Sequence, residues 1–227
     1  MHKLVSNQEK AIYQLRCDTV DMIELIKHQF VRARQCVVEK QLEEIEVIYS
    51  TEHRINAMEL MLDRECENIL ALYAPVATDL RFVLSVLKMS TDLERIGDHA
   101  ESIGRLMDEF HKGITFDMLS SFGIPEMFSK AIDMIDDVSR AFEKGDTALA
   151  RQVFPRDAFL NAKNREAHVV ATRLARHNID SLPYIITCVS FVRKLERVGD
   201  QVKNIAESII FHHEAEIMRH RNKTRRP

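Results

Sequence analysis

The chain has no tryptophan and, among 227 residues, only six glycines and five prolines. Glycine and proline punctuate turns, so their scarcity excludes a protein of many short strands joined by tight hairpins. No stretch alternates polar and apolar residues for long enough to require a sheet. Long apolar runs are also missing: the longest uncharged one, Ser181 to Val192, falls short of the roughly 20 residues that span a bilayer. Met1 to Lys10 contains no apolar segment of the secretory kind. The expectation is a cytoplasmic protein whose membrane association is peripheral and through partners only. The four cysteines, Cys17, Cys36, Cys66 and Cys188, form no Cys-x-x-Cys pair and sit in helical patterns. There a thiol acts as a small apolar side chain, so all four are expected to be reduced and buried. A formal net charge of −3 lacks the basic excess of a nucleic-acid-binding domain, and no nucleic acid partner is expected. Only the end is basic: Arg219 to Pro227 holds five Lys or Arg, readable as a solvated terminus or as a contact for acidic lipid or a partner.

What the chain does contain is Leu, Ile, Met, Glu and Arg at helical spacing, with 45% hydrophobic residues to build a core. The pattern predicts an all-α protein of six long helices: about Val5–Val38, Leu42–Leu72, Val76–Phe110, Pro125–Glu143, Asp146–His177 and Leu182–Met218. Pro75 stops the second helix, and Thr78 or Asp79 is placed to cap or charge the first turn of the third. Gly113, Gly123 and Pro125 mark a linker near the midpoint. The expected division is a first three-helix unit over 1–112, a linker over 113–123, a second three-helix unit over 124–219 and a basic tail over 220–227.

The two halves look like copies of one another. Leu93-Glu-Arg-Ile-Gly-Asp-His-Ala-Glu-Ser-Ile103 returns as Leu195-Glu-Arg-Val-Gly-Asp-Gln-Val-Lys-Asn-Ile205, an interval of 102 residues, which signals an internal duplication. Thr51-Glu52 followed by Asn56 likewise matches Arg156-Asp157 followed by Asn161. In each motif a Glu and an Asp stand four apart, Glu94 with Asp98 and Glu196 with Asp200, so their carboxylates share one helix face. Between them lies a glycine, Gly97 or Gly199, although glycine inside a helix costs on the order of 1 kcal/mol. Something is expected to approach the backbone closely at both places.

On the third helix the inward stripe runs Leu80, Leu84, Leu87, Thr91, Glu94, Asp98, Glu101. On the second it runs Ile45, Tyr49, Glu52, Asn56, Glu59, Asp63, Cys66, Leu70. Folding these helices into an antiparallel hairpin about Pro75 sets Asn56 beside Glu94 and Glu52 beside Asp98. A second hairpin about Asn178 and Ile179 sets Asn161 beside Glu196 and Asp157 beside Asp200. Buried carboxylates that face each other lose hydration and repel, so they need cations. Arg95 and Arg197 point about 100° away from the stripe. Metal ions are the other candidates, since carboxylates on facing helices of a bundle form hard-oxygen sites. The competing reading is a solvated acidic face. His99, next to Asp98, reads as a surface residue or an outer partner, and His168 as a weak ligand candidate.

Glu94-Arg95-Ile96-Gly97-Asp98, its second copy Glu196-Arg197-Val198-Gly199-Asp200, and the segment Pro75-Val76-Ala77-Thr78-Asp79-Leu80-Arg81 resemble the PhoU family of phosphate-signalling regulators, and the likeness covers essentially the whole chain. It implies two pseudo-symmetric three-helix bundles, each able to hold a multinuclear iron or zinc cluster. By position, the first site would use Glu52, Asn56, Glu59, Glu94 and Asp98 with Asp63, and the second Asp157, Asn161, Glu196 and Asp200. Asn161 stands where the family usually has Asp, and Ser102 where it often has Asn, so weaker or fewer metals are expected in the second site. The resemblance also implies a non-enzymatic negative regulator of the Pho regulon and of phosphate homeostasis. Such a protein, monomer or homodimer, links the ATPase subunit of a phosphate ABC transporter to a sensor histidine kinase. The alternative is a carboxylate-bridged metalloprotein, an oxidase, metal store or phosphohydrolase. Against it, the chain has no Glu-x-x-His, no Gly-rich phosphate loop and no evident nucleophile.

Overall fold

The computed structural model describes residues 6–215. Ser6 opens the first helix, α1 (Asn7–Arg34), with a capping box: its hydroxyl accepts from the Glu9 amide at 3.1 Å, and the Glu9 carboxylate accepts from the Ser6 amide at 2.7 Å. A π-helical turn at Gln35–Glu39 and Lys40 in the left-handed region lead into α2 (Glu44–Tyr73). Ala74, at φ 46°, and Pro75 close that helix and start the reversal. The next helix, α3 (Ala77–Phe110), begins after extended Val76, which makes no side-chain cap. Neither Thr78 nor Asp79 caps it, although Asp79 charges its first turn and accepts from Gln8 at 3.0 Å.

The second half repeats this plan with two short additions. The segment expected to be a linker carries α4 (Phe116–Phe122), capped by Thr115, whose apolar Leu119 and Phe122 are buried. Then come α5 (Ile124–Lys144), α6 (Thr147–Arg151), α7 (Val153–His177), a 3-10 turn at Ile179–Ser181 and α8 (Leu182–Glu214). One continuous helix was expected from Asp146 to His177. It breaks at Gln152 because Pro155 has no amide proton to return to the Arg151 carbonyl. The last helix closes on Ala215 at φ 57°, short of Met218. The basic tail lies outside the described residues.

Every described element is a helix or a helical turn, and the six long helices answer to the six expected. α3 and α8 cross the middle antiparallel: the Ser85 hydroxyl donates to the Ser208 carbonyl at 3.1 Å, and Lys194 donates to Ser102 at 2.6 Å. α2 flanks α3 and α7 flanks α8, while α1 and α5 pack on the central pair and on each other. There the Phe30 and Phe128 rings lie 5.4 Å apart, and Lys27 donates to Asp136 at 2.6 Å. The duplication is thus visible as a pseudo-twofold that exchanges α1 with α5, α2 with α7 and α3 with α8. The apolar side chains of both halves form one continuous core. Cys36, Cys66 and Cys188 are buried in it, and burial pushes each thiol up to about 12, far from a reactive thiolate. Cys17 is only half-buried.

Candidate metal centre

The α2–α3 hairpin brings one carboxylate oxygen from each of Glu52, Glu94 and Asp98 within 4.8 Å of one another. Glu52 is 3% exposed, Glu94 half-buried and Asp98 exposed, so the group sits at the rim of the helix interface and opens to solvent beside Asp98. Its close packing depends on Gly97. A Cβ there would lie 2.7 Å from Glu52 Oε2 and 3.1 Å from Ile55 Cδ1, so the side chain approaching the α3 backbone is the Glu52 carboxylate itself.

Glu52 is held from the opposite side by Gln29 of α1. The Gln29 amide donates to Glu52 Oε2 at 2.9 Å and to the Ile48 carbonyl at 3.2 Å. The other oxygen, Oε1, is buried with no donor, as is Asn56 Oδ1. Burial pushes the Glu52 carboxyl up to about 7, Gln29 opposing and Asp98, Glu101 and Glu94 adding to it. Glu94 is raised as well, by burial and then by Asp98 and Glu59. Glu59 is raised by burial and by Asp63, while a bond from Thr91 opposes the shift. Asp63 accepts from Ser90 at 2.7 Å and stands beyond the trio. Glu101 turns to Arg105 at 2.7 Å. Acids in this arrangement are short of positive charge, and two buried oxygens lack donors. A hard cation would supply what both need.

The second hairpin resembles the first in its backbone and differs in its charges. Asp157, 5% exposed, occupies the place of Glu52, and Gly199 the place of Gly97, with Leu160 Cδ1 at 2.6 Å and Asp157 Oδ1 at 3.2 Å from a Cβ built there. Lys203 enters this cluster, its ammonium 3.4 Å from Asp157 Oδ2 and 3.6 Å from Asp200 Oδ1. It takes the place that Glu101 holds in the first copy. The amides also shift by one turn. Asn161, expected beside Glu196, instead donates along its own helix to Asp157 Oδ2 at 3.0 Å, and Asn164 bonds to Glu196. Burial raises the Asp157 carboxyl, and Lys203 opposes that shift. Among the described residues no second trio of ligand atoms comes as close as the first.

His99 is half-buried on the side of α3 that faces α8, away from the carboxylates. Burial, then Lys194, Arg197 and Arg95, push its ring down to about 4. His168 is exposed among Asn164, Arg165 and Arg193. Gln29, Asn164 and Lys203 were not singled out from the sequence. Lys203 was within reach, since it stands in the repeated motif itself, where one copy reads Glu and the other Lys. Gln29 lies on a helix that the hairpin construction did not include.

The PhoU domain profile matches residues 19–107 and 124–209, one copy in each half. This chain belongs to the PhoU family. Its relatives include the phosphate-specific transport system accessory protein PhoU of Serratia marcescens, 27% identical over 97% of this chain and 90% of the relative. That of Escherichia coli (strain K12) is 26% identical over 97% and 91%. Two crystal structures share the fold: PhoU from Pseudomonas aeruginosa superposes with a TM-score of 0.84 at 25% identity, covering 91% of this chain and 99% of that one. The phosphate transport system regulatory protein PhoU from Streptococcus pneumoniae gives 0.79 at 22%, covering 93% and 99%. Both PhoU repeats therefore lie within the bundle described above.

Proposed function

We propose that this chain is an accessory regulator of phosphate transport that acts as a negative regulator. It restrains a phosphate ABC transporter through the ATPase subunit and keeps a sensor histidine kinase from activating phosphate-starvation genes. The observation that carries the reading is the match of both halves to the PhoU domain, in relatives named as accessory proteins of phosphate transport. The part is an adaptor's rather than an enzyme's, played in the cytoplasm, and no described helix is long and apolar enough to cross a membrane.

In this reading Glu52, Asn56, Glu59, Glu94 and Asp98 hold iron or zinc in the first half, with Asp63 at the edge. The donor set supports it: several carboxylates, an amide oxygen and two buried acceptors without donors. Bound metal supplies positive charge that ties α2 to α3. The second half holds less, because Lys203 already neutralises part of its cluster.

The test is made in a bacterium deleted for its own PhoU and carrying a phosphate-starvation reporter. Expression of this chain is expected to silence the reporter in high phosphate, and the tagged protein to capture the transporter ATPase or the kinase. The E94Q/D98N variant is expected to silence less. A reporter indifferent to the wild-type chain, with neither partner captured, overturns the proposal.

A further inference from the structure

Where α3 and α8 cross, a solvent-open cleft of about 580 Å³ lies between the two repeats. From α8 it is lined by Ser190, Arg193, Lys194 and Arg197, and from α3 by His99, Ser102 and Arg105, with Glu109 the one acid on its wall. Four cationic side chains therefore face one hollow. Arg105 is partly spent on Glu101 at 2.7 Å, and Lys194 donates to the hydroxyl of Ser102 at 2.6 Å. Among the described residues Arg193 and Arg197 form no salt bridge, although Arg197 acts on the Glu196 carboxylate from farther off. Burial, then the neighbouring Arg197, push the Lys194 ammonium down, and Asp98 opposes them.

The pseudo-twofold offers an internal control. At the related end of the same helix pair, Asp92 stands for Lys194, Thr91 for Arg193 and Glu207 for Arg105. There Asn204 donates to Asp92 at 3.2 Å, and Lys88 lies over the Phe211 ring at 5.4 Å. Arg95 stands there for Arg197 and Lys88 for Ser190, but with the acids Asp92 and Glu207 among them, so packing α3 on α8 does not require four cations gathered around one space. Arg197 is also the arginine of the second Glu-Arg-Val-Gly-Asp motif, which points away from the carboxylate cluster and into this cleft.

We propose that the cleft between α3 and α8 is a binding site for a phosphate-bearing small anion, separate from the carboxylate clusters. Two guanidinium forks one helical turn apart, an ammonium and the Ser102 hydroxyl present donors to a tetrahedral dianion from several sides, whereas a carboxylate engages a single fork; the Ser190 hydroxyl is already given to the Ile186 carbonyl at 3.1 Å. The volume lies within the roughly 300–1,000 Å³ of small-ligand sites, so the cleft admits either free orthophosphate or the phosphate of a larger ester. The proposal does not depend on bound metal.

Equilibrium dialysis of the full-length protein at fixed ionic strength tests it, with orthophosphate and adenosine 5′-monophosphate as separate probes. Saturable binding of one or both is expected, and the stronger probe tells whether the free ion or an ester is preferred. R193A/R197A is expected to weaken binding at least about tenfold, R193K/R197K to keep part of it, and E94Q/D98N not to weaken it, since the Asp98 charge it removes lies near Lys194 and opposes an anion. Arg193 and Arg197 are exposed, and circular dichroism with a thermal melt checks that each variant is folded. The proposal is overturned if neither probe binds the wild-type protein. It is also overturned if R193A/R197A binds normally while E94Q/D98N does not, which would put the anion on the metal centre.

Discussion

Glu52 carries a conflict that can be measured. The hydrogen bond from Gln29 favours its charged form, while burial and the nearby Asp98, Glu101 and Glu94 disfavour it more, and the carboxyl rises to about 7. The folded state therefore holds this proton more tightly than the unfolded chain, whose carboxyl titrates at its ordinary 4.5. The stability contributed is present below 4.5 and is lost as pH rises through 7. In chelator-treated protein, E52Q is expected to match the wild type near pH 4.5 and to exceed it at pH 8, by about 3 kcal/mol in urea unfolding. The difference between the two proteins is the right measure, because other groups titrate too. Burial, then His213, Arg16 and Arg81, hold His212 down near 4, so its contribution runs the other way and is lost as pH falls from its ordinary 6.5. With iron or zinc added at pH 8 the order is expected to reverse. The metal takes the place of the proton on Glu52, and glutamine cannot offer a carboxylate. An E52Q protein that stays the more stable with metal present would remove Glu52 from the ligand set.

At the scale of the helix, two glycines of α3 separate propensity from packing. Alanine at either position gains about 1 kcal/mol of helix propensity. At Gly104 the new methyl would meet Ile48 Cγ2 at 3.6 Å, an ordinary contact, so G104A is expected to stabilise by up to that amount. At Gly97 it would meet Glu52 Oε2 at 2.7 Å and Ile55 at 3.1 and 3.3 Å. The carboxylate would have to swing off Gln29, and branched Ile55 has little room to give. G97A is expected to destabilise by about 1 kcal/mol net, and thermal melts of the two variants check the contrast. That glycine, and the need for something to come close to it, could be read from the sequence because the motif keeps it twice. The six long helices could be read for a similar reason, since their apolar stripes and few breakers leave little choice. The break at Gln152 could not: it follows from one absent amide at Pro155 inside a strongly helical pattern. The shift of Asn161 also escaped, because a hairpin laid out by residue number fixes neighbours only to within a turn. α7 settles it by letting Asn161 bond Asp157 on its own helix and bringing Asn164 to Glu196.

Across the whole molecule, duplication has kept the geometry and let the charge drift. The first hairpin presents Glu52, Glu59, Asp63, Glu94, Asp98 and Glu101. At the corresponding places the second has Asp157, Asn164, His168, Glu196, Asp200 and Lys203. Three acids have been replaced by an amide, an imidazole and an ammonium, and the ammonium lies 3.4 Å from the most buried acid that remains. A metal entering the second cluster must displace or repel Lys203, whereas in the first it relieves a repulsion already there. Elemental analysis of protein purified without chelator is therefore expected to show metal lost in E94Q/D98N and nearly unchanged in E196Q/D200N. K203E should raise the metal bound per chain, because it restores the acid of the first copy at the position where the second now supplies its own cation. Equal losses from the two double variants, with K203E inert, would mean that Lys203 gives way to metal and that both halves load alike.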